Sequence, residues 1–225
     1  MLLNDSDRML LQRLMAAGVM EEQQVRKLAK KLTGEELTRS DVESMVNKIA
    51  ASVRSFALDV RRGVYDDGKM YVAVVNTSSD SLTQFSSNFK PWEIVFLRKA
   101  IEEIVDSDGG AVHEADLINL REGTSITEVH ELIRKLTAEK WLAPSQNAAD
   151  TAGLTLGPRT FLELVALLRD LEIKKCAICT YEMLQGAECA SDGCPTTLHK
   201  SCLDKYEEKG LQYKCSACRL PVRRR

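Results

Sequence analysis

The chain has 225 residues, 44% of them apolar, which is long for one domain and enough for two or three globular cores. No apolar run approaches the about 18 residues that a membrane span needs, and the first residues lack the basic and apolar stretches of a secretion signal. The chain has 31 basic and 33 acidic residues. Residues 171–225 contain ten basic and seven acidic residues, so residues 1–170 contain 21 basic and 26 acidic residues and carry a net negative charge. We therefore expect a soluble intracellular protein without membrane contact, whose larger part is too acidic to bind DNA strongly by itself.

Residues 1–76 predict a first winged-helix domain. Apolar residues at helical spacing predict three helices, at residues 4–17, 25–32 and 41–54. The apolar face of the first helix is expected to comprise Met9, Leu10, Leu14 and Ala17. Ser40 and Glu43 form a capping box ahead of the third helix. Two β-rich segments, residues 56–61 and 70–75, flank an Asp-Gly turn signal and predict a hairpin.

The same plan recurs in residues 89–157, after a Ser- and Thr-rich connector at residues 77–88. The predicted elements are a helix from Pro91, a short helix at residues 114–120, a helix capped by Ser125 and Glu128, and strand-like segments at residues 141–142 and 154–156. These elements predict a second winged helix. Residues 158–175 are expected to form a rigid connecting helix, because the segment is not rich in Gly, Ser or Pro.

All seven cysteines lie in residues 176–225, and with one histidine they form four pairs at metal-ligand spacing. The eight residues are Cys176, Cys179, Cys189, Cys194, His199, Cys202, Cys215 and Cys218. A structural zinc site takes four such ligands, so the sequence predicts two zinc ions. Disulfides are the alternative, but the odd number of cysteines and the intracellular character of the chain disfavour them.

The ligand order, C4HC3, is similar to the cross-brace of RING and PHD domains. In a cross-brace the first zinc would be held by Cys176, Cys179, His199 and Cys202, and the second by Cys189, Cys194, Cys215 and Cys218. Sequential pairing is the alternative. Four protein ligands leave no open coordination position, so the ions should stabilise the fold and not catalyse. The predicted fold class is α+β, with tandem winged-helix domains followed by a C-terminal cross-braced, two-zinc RING-like module at residues 176–225.

In RING-type ubiquitin ligases, an apolar residue between the first two ligands and an Arg after the last contact the conjugating enzyme and its ubiquitin. Ile178 and Arg219 occupy these positions. Tyr213 occupies a position that is typically aromatic in histone-reading PHD fingers. Each residue also has a structural explanation, namely packing for Ile178 and Tyr213 and solvation for Arg219. Ser216 replaces a proline found in many RING domains, which counts against a strong contact with the conjugating enzyme.

The third helix of each winged helix presents a mixed polar face. The residues are Glu43, Ser44, Asn47 and Lys48 in the first and Thr127, Glu131, Arg134 and Lys135 in the second. Direct base reading normally needs clustered Arg or Lys, so protein docking is favoured and DNA contact is expected to be weak or dependent on a complex. The closing run, Arg223 to Arg225, is better interpreted as a solvated tail than as a nucleic-acid contact or a nuclear import signal.

The whole assembly resembles the family of RING-bearing non-SMC element one subunits of the SMC five/six chromosome-maintenance complex. The resemblance rests on the zinc array and on residues 70–76, 93–107 and 139–142. It implies a RING-type E3 ubiquitin ligase that acts in DNA repair and recombination, in the nucleus and on chromosomes. It also implies a MAGE-domain sister subunit and a kleisin as partners of the winged helices, indirect contact with the SMC heterodimer, and a ubiquitin-conjugating enzyme as a further partner.

A RING ligase forms no covalent intermediate, and its contribution is to position a charged conjugating enzyme. On this hypothesis Ile178 docks that enzyme and Arg219 restrains its ubiquitin, with activity that depends on the MAGE partner. Two alternatives stay open. The zinc module could be a non-enzymatic scaffold that only stabilises assembly, or a PHD-like chromatin reader that binds histone tails through Tyr213.

Overall fold

The structure is a computed structural model that describes residues 2–77, 89–145, 153–191, 193–210, 212–220 and 222. Most of the predicted connector at residues 77–88, the loop residues 146–152 and the arginines at 223–225 therefore lie outside the described residues. Within those described ranges, no helix is both long and apolar enough to span a bilayer.

Three helices and a three-stranded antiparallel sheet make up the first winged helix. In chain order the elements are α1 (Asp5–Ala17), β1 (Val19–Glu21), α2 (Glu22–Thr33), α3 (Arg39–Val53), a 3-10 turn (Arg54–Phe56), β2 (Leu58–Val64) and β3 (Met70–Asn76). The strand order is β1-β3-β2. The hairpin β2–β3 pairs Val64 with Met70 nearest its turn, as the Asp-Gly signal predicts.

The apolar face predicted for α1 is partly wrong. Leu10 and Leu14 are buried, but Met9 is 48% exposed and Ala17 is exposed. The third position on the inner face is Asp7, whose carboxylate lies 2.5 Å from the ammonium of Lys48 in α3. A buried carboxylate is tolerated when it is paired in this way, so the inner face of α1 is not marked by apolar residues alone.

The capping box of α3 lies two residues earlier than predicted. Thr38 accepts a hydrogen bond from the N–H of Asp41, and the Asp41 carboxylate accepts one from the N–H of Thr38. Glu43, the predicted partner of Ser40, instead accepts a hydrogen bond from Arg62 of β2 at 2.8 Å. The sequence carries two overlapping capping signals, Thr38 with Asp41 and Ser40 with Glu43. The structure uses the first, and Glu43 pairs with the sheet.

Thr38→Ala is expected to lower the free energy of unfolding by about 1 kcal/mol, because it removes the acceptor that caps α3. Ser40→Ala is the matched control, since Ser40 is exposed and lies inside the helix. Urea unfolding of the two variants beside the parent chain measures the difference. Equal losses in both variants would contradict the assignment of Thr38 as the cap.

The second winged helix repeats the order of the first. Its elements are α4 (Pro91–Asp106), β4 (Val112–His113), α5 (Glu114–Asn119), α6 (Ile126–Ala138), β5 (Leu142–Pro144) and β6 (Gly153–Leu156). The strand order β4-β6-β5 matches β1-β3-β2 position by position. The predicted capping box of Ser125 and Glu128 is confirmed at the start of α6. The sequence does not predict β1 and β4, because these strands have only three and two residues.

Strand β3 is covered on both faces. Val72 belongs to the core that the first winged helix forms with its own helices. Tyr71, Ala73 and Val75, on the opposite face, belong to a second core shared with the second winged helix. Successive side chains of a strand point to opposite faces, so this near-continuous apolar strand fills two cores at once and joins the two winged helices.

The predicted single connecting helix over residues 158–175 is wrong. Two short helices replace it, α7 (Pro158–Glu163) and α8 (Val165–Asp170), with a break at Leu164, whose φ is −107° and ψ 27°. The break turns the Leu164 side chain into the shared core, where it is 2% exposed. After α8 the chain runs in a non-helical conformation through residues 171–175 to the first zinc ligand.

The first hairpin packs against the second winged helix and against α7. Helix α7 packs against β2 and β3, and Arg61 donates to the carbonyl of Leu162 at 3.0 Å. The hydroxyl of Tyr65 donates to the carbonyl of Leu156 at 2.8 Å, and both groups are buried. Each bond connects the first hairpin to the second winged helix or to the segment that follows it.

The C-terminal module is small and its core is built around the cysteines. Its regular elements are β7 (Ala187–Glu188), β8 (Thr197–Leu198) and α9 (Lys200–Glu207). Strands β7 and β8 pair antiparallel. Met183, Leu198 and Leu203 complete a core with the buried cysteines. So few apolar side chains make a weak core for a unit of this size, and metal ions normally supply the remaining stability.

Candidate metal centre

The structure brings the eight predicted ligands together in two groups of four. Cys176, Cys179, His199 and Cys202 form one group, and Cys189, Cys194, Cys215 and Cys218 form the other. Within each group the ligand atoms lie within 4.8 Å of one another. The first pair of ligands therefore meets the third and the second meets the fourth, which is the cross-brace. The alternative of sequential pairing does not describe the geometry.

The ligand atoms of each group lie close enough together to share one ion. A zinc ion with Zn–S bonds of about 2.3 Å places its sulfur ligands roughly 3.8 Å apart. The Sγ atoms of Cys189 and Cys218 are 3.3 Å apart, and Nδ1 of His199 lies 3.2 Å from Sγ of Cys179 and 3.9 Å from Sγ of Cys202. All seven cysteines are free thiols. Two zinc ions, each with four protein ligands, are what this donor set binds.

The first and last ligand pairs sit on turns of the same geometry. The N–H of Thr180 donates to the carbonyl of Cys176 at 2.8 Å, and the N–H of Arg219 donates to that of Cys215 at 2.9 Å. Thr180 and Arg219 both have a φ of 65°, in the left-handed region that side chains other than Gly rarely adopt. The turn that aims two sulfurs at one ion thus also fixes the position of Arg219.

Thr196 is a contributor to the second site that the sequence analysis missed. Its hydroxyl lies 3.1 Å from Sγ of Cys215 and 3.6 Å from Sγ of Cys194. The Thr196 hydroxyl, together with the backbone N–H of Cys218, lowers the pKa of the Cys215 thiol to about 6. Zinc binds the thiolate, so a lowered pKa favours metal binding at neutral pH. In the sequence, nothing distinguishes Thr196 from a loop threonine that contacts no zinc ligand.

Asp66 is a second residue near the metal centre that the sequence does not predict. It lies in a predicted hairpin turn, where an aspartate is common without any contact to a metal site. Its Oδ1 lies 3.6 Å from Nε2 of His199, and both side chains are fully buried. The Asp66 carboxylate also accepts hydrogen bonds from the N–H groups of Gln185, at 3.0 Å, and Leu184, at 3.3 Å. Burial raises the pKa of Asp66 to about 6, against the opposing effects of the Gln185 N–H and of His199.

The candidate ligase residues are placed at the surface of the module. Ile178 is half-buried against the module core. Arg219 and Ser216 are exposed, and Leu220, next to Arg219, is 49% exposed. Tyr213 is half-buried, with its ring edge-to-face against Tyr206 of α9 at 5.3 Å between centroids. Tyr213 thus has one packing partner and a partly exposed ring, and Arg219 is accessible to a partner.

Lysines on the third helices are engaged within the protein. Lys48 of α3 pairs with Asp7. Lys135 of α6 lies 3.4 Å from the carboxylate of Glu93, and its ammonium lies 4.2 Å from the centre of the Phe89 ring. A side chain held in an ion pair is a poor phosphate ligand, because the pair must be broken first. Arg134, on the same predicted polar face of α6, is exposed.

Two models of known protein families match the sequence of this chain. A model described as the Nse1 non-SMC component of the SMC5-6 complex matches residues 7–124, and a RING-like domain model matches residues 176–218. The chain belongs to the Nse1 family. The first match covers nearly all of the first winged helix and the second winged helix up to the residue before Ser125, the N-cap of α6. The second match begins and ends at the first and last zinc ligands.

Relatives of the Nse1 family match over nearly the whole chain. The chain is 30% identical over 228 residues to the non-structural maintenance of chromosomes element 1 homolog of Bos taurus, and 29% identical to that of Homo sapiens; each alignment covers 96% of this chain and 83% of the relative. A solved structure described as "Nse1-Nse3-Nse4 complex" superposes with a TM-score of 0.81 at 26% identity, covering 100% of this chain and 99% of the other. Tandem winged helices and a RING-like module are thus the common architecture.

Proposed function

We propose that this Nse1-family chain is a RING-type E3 ubiquitin ligase subunit of the SMC5-6 complex, acting in DNA repair and chromosome maintenance on nuclear chromosomes. The observation that carries the proposal is the cross-braced module with an exposed Arg219 directly after the last ligand. The proposal assigns the first zinc to the group that contains His199 and the second to the group of four cysteines. It also assigns Ile178 to contact with the conjugating enzyme.

The chemistry of such a subunit is positioning. Each group of ligands supplies four protein atoms, so the zinc ions have no open position for a substrate or a water. The zinc ions hold the loops rigid. Arg219, whose backbone is fixed by its turn, would hold the ubiquitin carried by the conjugating enzyme in a reactive arrangement. The acceptor amine would then attack the thioester that joins this ubiquitin to the conjugating enzyme, so that an amide bond forms and the enzyme's cysteine thiol leaves.

The winged helices are proposed to bind the other subunits. The solved relative is described as a complex of Nse1, Nse3 and Nse4, which supports two partner subunits for this chain. On the sequence resemblance these are the MAGE-domain subunit and the kleisin, with the SMC heterodimer contacted through them. DNA contact by this chain alone is proposed to be weak, because the lysines of the third helices are paired.

A discharge assay tests the ligase proposal. Arg219→Ala, in complex with the MAGE-domain partner, is expected to slow ubiquitin discharge from a charged conjugating enzyme by roughly 10- to 100-fold, because the ubiquitin is no longer held in position. Lys214→Ala is the matched control, since it removes an exposed positive charge from the same loop. Both variants should retain two zinc ions.

The ligase proposal is abandoned if the zinc-loaded complex discharges ubiquitin from no member of a broad panel of conjugating enzymes. It is also abandoned if Arg219→Ala and Lys214→Ala behave alike.

A non-enzymatic scaffold is the second candidate, and one observation favours it. Gln185 of the zinc module donates from its side-chain amide to the carbonyl of Gly109, at 3.2 Å, and to the hydroxyl of Ser145, at 3.0 Å, both in the second winged helix. The same residue donates from its N–H to Asp66 of the first. A module bound to both winged helices in this way is suited to stabilising their arrangement.

A further inference from the structure

We infer that Asp66 is a positioning residue for the first zinc site, so that the turn of the first winged helix completes a metal centre in the C-terminal module. The inference rests on the zinc ligands assigned above and is independent of ligase activity. Asp66 lies 110 residues before the first ligand, Cys176, and contributes no ligand atom itself.

The two ring nitrogens of His199 have different surroundings. Its Nδ1 faces the cysteines, 3.2 Å from Sγ of Cys179 and 3.9 Å from Sγ of Cys202, so Nδ1 is the metal-binding atom. A neutral imidazole that binds metal through one nitrogen carries its proton on the other. Nε2 of His199 is therefore an N–H donor, and it is buried with no hydrogen-bond partner among the described residues.

Asp66 offers the acceptor that this donor lacks. Its Oδ1 lies 3.6 Å from Nε2, and neither side chain is exposed, so water does not compete for the contact. A histidine that binds metal usually donates its second N–H to a carboxylate, a carbonyl or a water, which fixes the tautomer and the ring orientation. At 3.6 Å the two atoms lie just beyond hydrogen-bond length, and the inference is that they form a hydrogen bond when the site holds its zinc.

The position of Asp66 is fixed from the zinc-module side as well. Its carboxylate accepts the N–H groups of Leu184 and Gln185, which belong to the module. Two residues further along the turn, Gly68 approaches α9 so closely that a Cβ atom there would lie 2.3 Å from Cβ of Ser201. The turn is thus seated against the first residues of α9, directly beside His199.

The consequence is a coupling between the first zinc and the first winged helix. Removing the zinc takes away the group that orients His199 toward Asp66, and displacing the turn takes away the acceptor that orients His199 toward the zinc. The second site has four cysteine ligands, and no such contact involves it among the residues described. The coupling therefore predicts an effect on one site and not on the other.

The test compares Asp66→Asn with Asp67→Asn in the full chain. Asparagine keeps the shape and one oxygen that accepts the N–H of Gln185, but its amide group then faces the N–H of His199, donor against donor. Asp67 lies in the same turn and accepts a hydrogen bond from Tyr71 at 2.8 Å, so Asp67→Asn reproduces the loss of charge and the disturbance of the turn without touching His199.

Competition with a chromophoric chelator is expected to show that Asp66→Asn weakens one of the two zinc sites by roughly 10- to 100-fold, with the other unchanged. Cadmium-113 NMR of the substituted protein should show a shifted resonance for the site with three sulfurs and one nitrogen and an unshifted one for the four-sulfur site. In the parent chain the Nε2–H of His199 should exchange slowly with solvent, and in Asp66→Asn quickly.

Three results would overturn the inference: unchanged affinity at the histidine-containing site in Asp66→Asn, an equal loss in Asp67→Asn, or equal losses at both zinc sites. Each would mean that Asp66 serves only the packing of the turn. The ligase proposal would be unaffected by any of them, because the assay measures metal binding in a chain that need not discharge ubiquitin.

Discussion

Replacing Cys215 by serine is expected to reduce the zinc content of the chain from two ions to at most one and to unfold the C-terminal module. Cys215 is fully buried, and its sulfur is one of four ligands of the second site. Structural zinc contributes about 10–16 kcal/mol of apparent binding free energy at neutral pH. The apolar core of this module is too small to replace that contribution.

Metal analysis by a chelator assay, together with limited proteolysis, measures both parts of this expectation. The Cys215→Ser chain should be cleaved within residues 176–222 while the winged helices persist. Ser216→Ala, a change at the exposed neighbouring residue, should retain both zinc ions and resist cleavage. A Cys215→Ser chain that still held two zinc ions would show that Cys215 is not a ligand.

Replacing Trp141 by alanine is expected to lower the free energy of unfolding by about 3–5 kcal/mol, because a large buried aromatic side chain leaves a cavity. Trp141 is 2% exposed and lies in the shared core. Its ring packs edge-to-face on Phe89, at 6.1 Å between centroids, and beneath the guanidinium of Arg159, at 4.3 Å. Its carbonyl accepts hydrogen bonds from Gly157 and Thr160.

Urea unfolding of the zinc-loaded chain, followed by far-UV circular dichroism, measures this loss. For a chain of this size the melting temperature should fall by roughly 6 °C or more. Val95→Ala, at a residue that is 49% exposed, is the control and should change stability by less than about 0.5 kcal/mol. A loss below about 1 kcal/mol for Trp141→Ala would mean that the core closes around the missing side chain.

The sequence predicts the two winged helices because their strongest elements have local signals. The capping box of Ser125 and the turn after β2 depend only on residues within a few positions of each other, and both appear where expected. The two zinc ligands of each pair also lie within a few residues of each other in the sequence. The cross-brace itself is not local, but the order of ligand pairs limits it to few arrangements, and the structure shows the predicted one.

Features that depend on tertiary contacts were not predictable in the same way. Helix α8 begins after a break at Leu164 because that side chain turns into a core made largely by other elements. Thr38 and not Ser40 caps α3, and Glu43, the predicted partner of Ser40, pairs with Arg62, 19 residues away. Asp66 has the sequence features of an ordinary turn residue, and only the approach of the zinc module gives it another role.

The double coverage of β3 has a mechanical consequence. A strand whose two faces are buried in different cores cannot leave one without exposing the other. Force applied to helices α1 to α3 would therefore reach the second winged helix through the core that β3 shares with it, and would reach the zinc module through the turn that contains Asp66. The two winged helices and the zinc module should therefore respond to force as one unit.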